Sequence, residues 1–180
     1  FPTRRSSDLV TYTYDDLRRT TKSATTLDSN EVKTEYTYRD SGQVATVKHN
    51  TSSNASDDVT YTFGYDDLTR PTTVKVGTQT LSTIAYNANG TVQKVTYGNG
   101  GKAQYTYDAF KRVTGVKLDN ATASRFTYAY DAQGHIAYVK DTVRDTTVKT
   151  LYDLAGRPMR KTQLVGSDHA YTGEVIYNQY

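Results

Sequence analysis

The sequence has no cysteine and no tryptophan, a single methionine, three prolines and three isoleucines in 180 residues. The absence of cysteine excludes disulfides and thiol catalysis and removes the best zinc ligand. Three prolines and twelve glycines are too few for a collagen-like chain or a proline-rich linker. No window approaches the roughly 18 uninterrupted apolar residues of a membrane-spanning helix, and the mean hydropathy is -0.72. The formal net charge is +3 with a pI near 8.9, too mild and too scattered to imply a nucleic-acid partner. Helix formers are scarce, with three glutamates against 31 threonines, 17 tyrosines and 16 valines. Threonine, tyrosine and valine are strand formers, so composition alone points to an all-β chain.

The first nine residues, FPTRRSSDL, back-translate into the end of a common short-read sequencing adapter. Residues 1–9 are therefore expected to be a disordered scar foreign to the fold, and residues 10–180 to form the structured part. With Arg4, Arg5 and Asp8 set aside, the rest carries about +2.

Internal repetition is the strongest signal. Eight segments align on one tyrosine each, at Tyr14, Tyr38, Tyr65, Tyr86, Tyr107, Tyr130, Tyr152 and Tyr177, spaced 21 to 27 residues apart. With the anchor tyrosine as position 0, position +1 is Asp15, Asp66, Asp108, Asp131 and Asp153, with Arg39, Asn87 and Asn178 as exceptions. Position +4 is Gly42, Gly90, Gly134 and Gly156, and position +5 is Arg19, Arg70, Arg112 and Arg157. Val47, Val74, Val95, Val116 and Val139 fall at +9, with Lys48, Lys75, Lys117 and Lys140 following.

Each column has a physical reading. Tyr12, Tyr36, Phe63, Tyr105 and Tyr128 at -2 place aromatics on one face of a strand that ends at the anchor. Asp or Asn at +1 bonds backbone amides two residues on, and glycine at +4 supplies φ > 0, which together make a short hairpin loop built on a type I turn. The chain then returns as a second strand, so each unit is a β-hairpin, about eight in all with the last incomplete.

Two features complicate this picture. Arg18, Thr69 and Lys111 stand where glycine is expected, so these turns should be distorted, and Thr69, with Pro71 beside it, should mark a different loop. In addition, Val44, Val92, Val113 and Ile136 at +6 have the opposite parity to the valines at +9. A bulge after the turn, or a sheet covered on both sides, would reconcile them. Asn50–Asp58 reads as an exposed loop and Tyr97–Gly101 as a glycine turn between strands.

The motif YDxxGR followed by a valine-bearing strand resembles the Rhs/YD-repeat family of bacterial Rhs proteins, insecticidal toxin-complex B and C components and teneurins. Asp153, Gly156 and Arg157 in LYDLAGRP match it best, and Asp108 and Arg112 match it without the glycine. The resemblance implies tandem hairpins pairing side by side into a curved, spiralling sheet, here an open fragment of a shell that encloses a C-terminal effector polypeptide. It also implies a secreted or cell-surface location in a bacterium, with the remainder of the same array and the effector as partners. The DPxG-type self-cleavage signature of many Rhs proteins is absent, because Pro2, Pro71 and Pro158 do not follow aspartate.

No catalytic residue, cofactor or metal is expected, and the repeat tyrosines, aspartates, glycines and arginines are read as structural. A catalytic constellation is needed once, whereas the Asp/Arg pair recurs, which favours turn capping and a cross-turn ion pair. His135 occupies the arginine column, while His49 and His169 lie in polar connections, with no metal-binding spacing among the three. The doublets Asp15/Asp16, Asp57/Asp58 and Asp66/Asp67 lack the alternation of a calcium loop. Sequons at Asn50, Asn54, Asn89 and Asn120 matter only on a eukaryotic secretory route. The tyrosine ladder allows an alternative function, a cell-surface adhesion or carbohydrate-binding module with a glycan partner. Protected tyrosine rings would favour the shell and exposed ones the binder.

Overall fold

The structure is a computed structural model that describes residues 9–27, 30–50, 57–166 and 170–176. Residues 1–8 of the expected scar, the centre of the Asn50–Asp58 loop, His169 and Tyr177 lie outside the described residues. The chain divides into two compact units, Phe1–Ile84 with Tyr97–Asn99, and Ala85–Thr96 with Gly100–Tyr180. The first holds β1 (Thr11–Tyr14), β2 (Thr20–Leu27), β3 (Asn30–Tyr38), β4 (Val44–Asn50), β5 (Val59–Tyr65), β6 (Pro71–Val76) and most of β7 (Gln79–Tyr86). The second holds most of β8 (Val92–Tyr97), then β9 (Lys102–Tyr107), β10 (Val113–Leu118), β11 (Phe126–Tyr130), β12 (Ile136–Asp141), β13 (Thr146–Tyr152), β14 (Pro158–Val165) and β15 (Ala170–Ile176). In each unit the strands pair antiparallel and in chain order, an open meander of hairpins. The described residues contain no α-helix, as the scarcity of helix formers predicts.

All seven anchor tyrosines within the described residues enter the same turn. The +1 carbonyl accepts the +4 N–H at 2.8–3.1 Å, and the +1 N–H donates to the +5 carbonyl at 2.8–3.0 Å. This is the three-residue hairpin loop in which a type I turn is followed by a left-handed residue. Position +4 has positive φ throughout, at 76° to 94° for Gly42, Gly90, Gly134 and Gly156.

The turns without glycine are not distorted, contrary to expectation. Arg18, Thr69 and Lys111 keep both hydrogen bonds and adopt φ of 61°, 61° and 63°. Those angles sit at the centre of the small left-handed well open to L-residues, whereas the glycines open further, to angles only glycine enters readily. The turn therefore survives without glycine by tightening, at a cost on the order of 1 kcal/mol. Pro71 does not alter the loop either. It stands at +6, the first residue of β6, paired with Tyr65 where the register shifts, and Pro158 occupies the same place opposite Tyr152. A first strand position is where proline's missing N–H matters least.

A bulge resolves the parity problem. The anchor pairs with +6 and the residue before it with +8, so the residue at +7 is extra: Tyr38↔Val44 then Thr37↔Thr46, and likewise Tyr130↔Ile136 then Ala129↔Tyr138. The same shift occurs at Tyr14, Tyr65, Tyr107 and Tyr152. With one residue bulged out, the apolar residues at +6 and +9 both join the face of the tyrosines.

The two faces then differ in chemistry. In the first unit Tyr36, Val47, Tyr61 and Val76 lie across from one another, while the opposite face carries Thr13, Lys22, Glu35, Lys48 and Thr60. In the second, Tyr128, Val139 and Val148 line one face and Thr106, Gly115, Thr127, Lys140 and Thr147 the other. Ala24 and Ala103, each 5 % exposed, are the buried hydrophobic residues among those described, and none of the described large side chains is fully buried. Cross-strand pairs on the sheet, rather than a second layer, supply the packing.

Asn50–Asp58 is only partly the exposed loop expected. Asn50 closes β4 at 8 % exposure, its amide donates to Asp58 Oδ1, and Lys48 Nζ pairs with Asp58 Oδ2 at 2.8 Å. Asn50 lies opposite Lys33 on β3, a placement that composition alone does not reveal. Tyr97–Gly101 turns between β8 and β9 with Gly100 at φ 87°, as expected.

Candidate functional site: the joint between hairpins

The repeated side chains converge at the turn end of each hairpin. Asp15 Oδ1 accepts the N–H groups of Leu17 at 3.0 Å and Arg19 at 2.9 Å, while Oδ2 takes Arg19 Nε at 2.6 Å. Asp66, Asp108 and Asp153 repeat this arrangement with Arg70, Arg112 and Arg157. Asp131 repeats it with His135, whose Nδ1 lies 2.9 Å from Oδ2. Asn87 replaces the ion pair with a bond from its amide to Thr91 Oγ1 at 2.9 Å.

These carboxylates are held below the usual range. The Arg19 N–H dominates at Asp15 and the Arg157 N–H at Asp153, whereas the Arg70 guanidinium dominates at Asp66. At Asp108 and Asp131 partial burial pushes upward, but the hydrogen bonds from Arg112 and His135 outweigh it. A carboxylate whose lone pairs are occupied and whose pKa is lowered is a poor general acid or base at neutral pH.

The +5 side chain also reaches the next hairpin. Arg19 lies over the ring of Tyr38 and Arg112 over that of Tyr130, each 4.4 Å from the centroid. His135 stacks on Tyr152 at 4.7 Å and 29°. Cation–π contacts at part-exposed sites contribute about 0.5–1 kcal/mol. Five anchor tyrosines also bond backward. Tyr38 Oη donates to the Thr20 carbonyl at 2.6 Å, Tyr65 to Val44 at 2.8 Å, Tyr107 to Val92 at 2.8 Å, Tyr130 to Val113 at 2.8 Å and Tyr152 to Ile136 at 3.0 Å. Each acceptor is the +6 residue of the preceding hairpin.

Ladder geometry explains this acceptor. Pairing between β2 and β3 stops at Lys22↔Glu35, two residues short of Thr20. Between β4 and β5 it stops at Thr46↔Thr62, and between β12 and β13 at Tyr138↔Lys149. The carbonyl at +6 lies beyond the ladder, and the tyrosine hydroxyl supplies the donor that a strand would otherwise provide.

The complete joint, from aspartate to arginine to the next tyrosine and back to the main chain, forms at Asp15–Arg19–Tyr38 and Asp108–Arg112–Tyr130, and with histidine at Asp131–His135–Tyr152. Residues at +1, +4 and +5 meet within one turn, as their spacing implies, whereas the tyrosine hydroxyl contact was not assigned from sequence. Tyr14, Gly42 and Gly90 occupy their expected turn positions. Asp16 and Asp67, the second members of their doublets, project at the exposed turn tips.

The sequence reading also missed a bidentate pair. Arg125 Nε and Nη2 donate to Asp141 Oδ1 and Oδ2 at 2.7 and 2.9 Å, and Oδ1 also accepts the N–H groups of Val143 and Arg144. The Arg125 guanidinium is the main reason that the Asp141 pKa falls to about 2. Because the folded-state value lies below the ordinary one, the stabilisation from this pair is complete above about pH 4 and is lost as pH falls through about 2. Acid titration of unfolding should therefore show a loss of stability in that window that is smaller in Asp141→Asn than in the parent. Equal loss in both would remove Asp141 from the acid response.

His49 contacts Thr34 Oγ1 at 3.0 Å and meets Tyr61 edge-on at 5.9 Å. Among the described residues no three His, Cys, Asp or Glu side chains gather as a metal site. Asn120 receives Lys102 Nζ at 3.3 Å, and Asn89 Oδ1 accepts the Thr91 N–H at 3.1 Å.

Residues 86–123 match the RHS repeat family model. A crystal structure of TcdB2–TccC3 aligns with a TM-score of 0.67 at 14% identity, over 83% of this chain and 9% of that one. A TcdB2–TccC3–TEV crystal structure aligns at 0.63 and 15% identity, over 78% and 8%. A Photorhabdus luminescens Tc holotoxin pore with a TccC3 mutation aligns at 0.61 and 15%, over 78% and 8%. At these identities the likeness is one of fold, and the chain spans less than a tenth of each neighbour. No curated protein matches by sequence.

Proposed function

We propose that this RHS-repeat chain is a length of wall in a shell that encloses or presents a polypeptide cargo, a C-terminal toxin in a secreted bacterial protein. In this reading residues 10–180 are one array and residues 1–9 are foreign to it. The observation that carries the proposal is the joint itself: the repeated side chains are committed to their own turn or to the next hairpin, as a wall requires. A wall needs no turnover, so the segment has no catalytic activity of its own. The glycan-binding alternative is disfavoured because five anchor hydroxyls are spent on main-chain carbonyls and the rings of Tyr38 and Tyr130 are covered by arginine. No helix among the described residues is long and apolar enough to cross a membrane.

The test is protease accessibility in the longest protein that contains this segment. Its C-terminal domain should be cut far more slowly than the same domain produced alone. Equal rates of cleavage would refute the enclosing wall.

A further inference from the structure

We propose that His135 makes the joint between the hairpins β11–β12 and β13–β14 responsive to pH, tight when the imidazole carries its proton and looser when it does not. In the other Asp-capped turns the +5 partner is an arginine, Arg19, Arg70, Arg112 or Arg157, which stays charged at any physiological pH. Imidazole is the side chain that changes charge between about pH 5 and 8. One joint in the series therefore carries a conditional cation.

The geometry gives that proton two consequences. Nδ1 lies 2.9 Å from Asp131 Oδ2, and the ring stacks at 4.7 Å on Tyr152, the same tyrosine whose hydroxyl latches onto the Ile136 carbonyl at 3.0 Å. Losing the charge weakens the ion pair and the ring contact together. Space is set aside for this imidazole, since a Cβ on Gly156 would sit 2.7 Å from Nε2.

The surrounding charges leave Asp131 as its counterion. In the next turn Asp153 and Arg157 pair with each other at 2.7 Å. From the preceding turn Arg112 pairs with Asp108 and lies over Tyr130. On β12 Lys140 pairs with Asp145 at 3.4 Å. Asp131, held below the usual carboxylate range despite partial burial by its bonds to His135, stays charged across the window. The sign follows: protonation adds attraction, and raising the pH removes it.

Amide hydrogen exchange of the whole chain tests this at the Tyr138↔Lys149 and Val139↔Val148 pairs that join β12 to β13. After correction for intrinsic rates, protection should fall about threefold from about pH 5 to about pH 8, relative to amides of β9 and β10. His135→Arg should keep the higher protection at both values, and His135→Gln the lower. No fall in the parent, or the same fall in His135→Gln, overturns the proposal.

Discussion

Changing Tyr107, Tyr130 and Tyr152 together to phenylalanine should lower the stability of the second unit by about 3 kcal/mol, roughly 1 kcal/mol for each hydrogen bond lost. The rings stay, so their packing and the contacts from Arg112 and His135 are retained. What is lost is the donor to the carbonyls of Val92, Val113 and Ile136, which lie beyond the ladder that pairs each hairpin with the next. The three sites belong to successive joints, and their effects should add to within a few tenths of a kcal/mol. The control is the same change at Tyr105 and Tyr128, two residues before their anchors, whose hydroxyls make no hydrogen bond to another described residue. Urea titration should show the midpoint falling in the triple variant with an unchanged slope, and little movement in the control. Equal effects in both would mean that the rings, not the hydroxyls, hold successive hairpins together.

The second large effect concerns position +4. Gly156→Ala should destabilise by about 2 kcal/mol, half from forcing an alanine to a positive φ and half from displacing His135. Gly42→Ala should cost only the first part, because a Cβ there meets nothing within 4 Å. Making Gly156→Ala in a His135→Ala background should remove the excess. The reverse change, Thr69→Gly, should stabilise by up to about 1 kcal/mol, since a β-branched residue at φ 61° is relieved. Denaturant midpoints of the four variants check this ordering. If Gly156→Ala and Gly42→Ala proved equal, contact between adjacent turns would play no part in the choice of glycine.

Contacts inside a turn were legible because they join residues at most four apart: the aspartate at +1, the left-handed residue at +4 and the arginine at +5 recur at fixed offsets. The bulge was legible through the parity of Val44 and Val47, although an alternative remained open. The tolerance of Arg18, Thr69 and Lys111 was not, because it depends on a shift of φ by some tens of degrees that no residue type announces. Contacts between hairpins were hidden for another reason. Tyr130 and Val113 are 17 residues apart, and Arg125 and Asp141 are 16 apart, so only the strand register brings them together. Register is fixed by the turn and the bulge, and becomes known only when both are placed.

Within each unit the hairpins are held by their neighbours through tyrosine joints, and no common core of large side chains is buried among the described residues. Stability should then be close to a sum of hairpin and neighbour terms. The measurement that tests this most directly is native-state hydrogen exchange resolved along all the described strands. Graded protection is expected within each unit, falling stepwise from interior hairpins to the outermost strands, with each Tyr→Phe change lowering protection mainly in the two hairpins it joins. A single value of protection shared by every strand and lowered uniformly by any one change would contradict it.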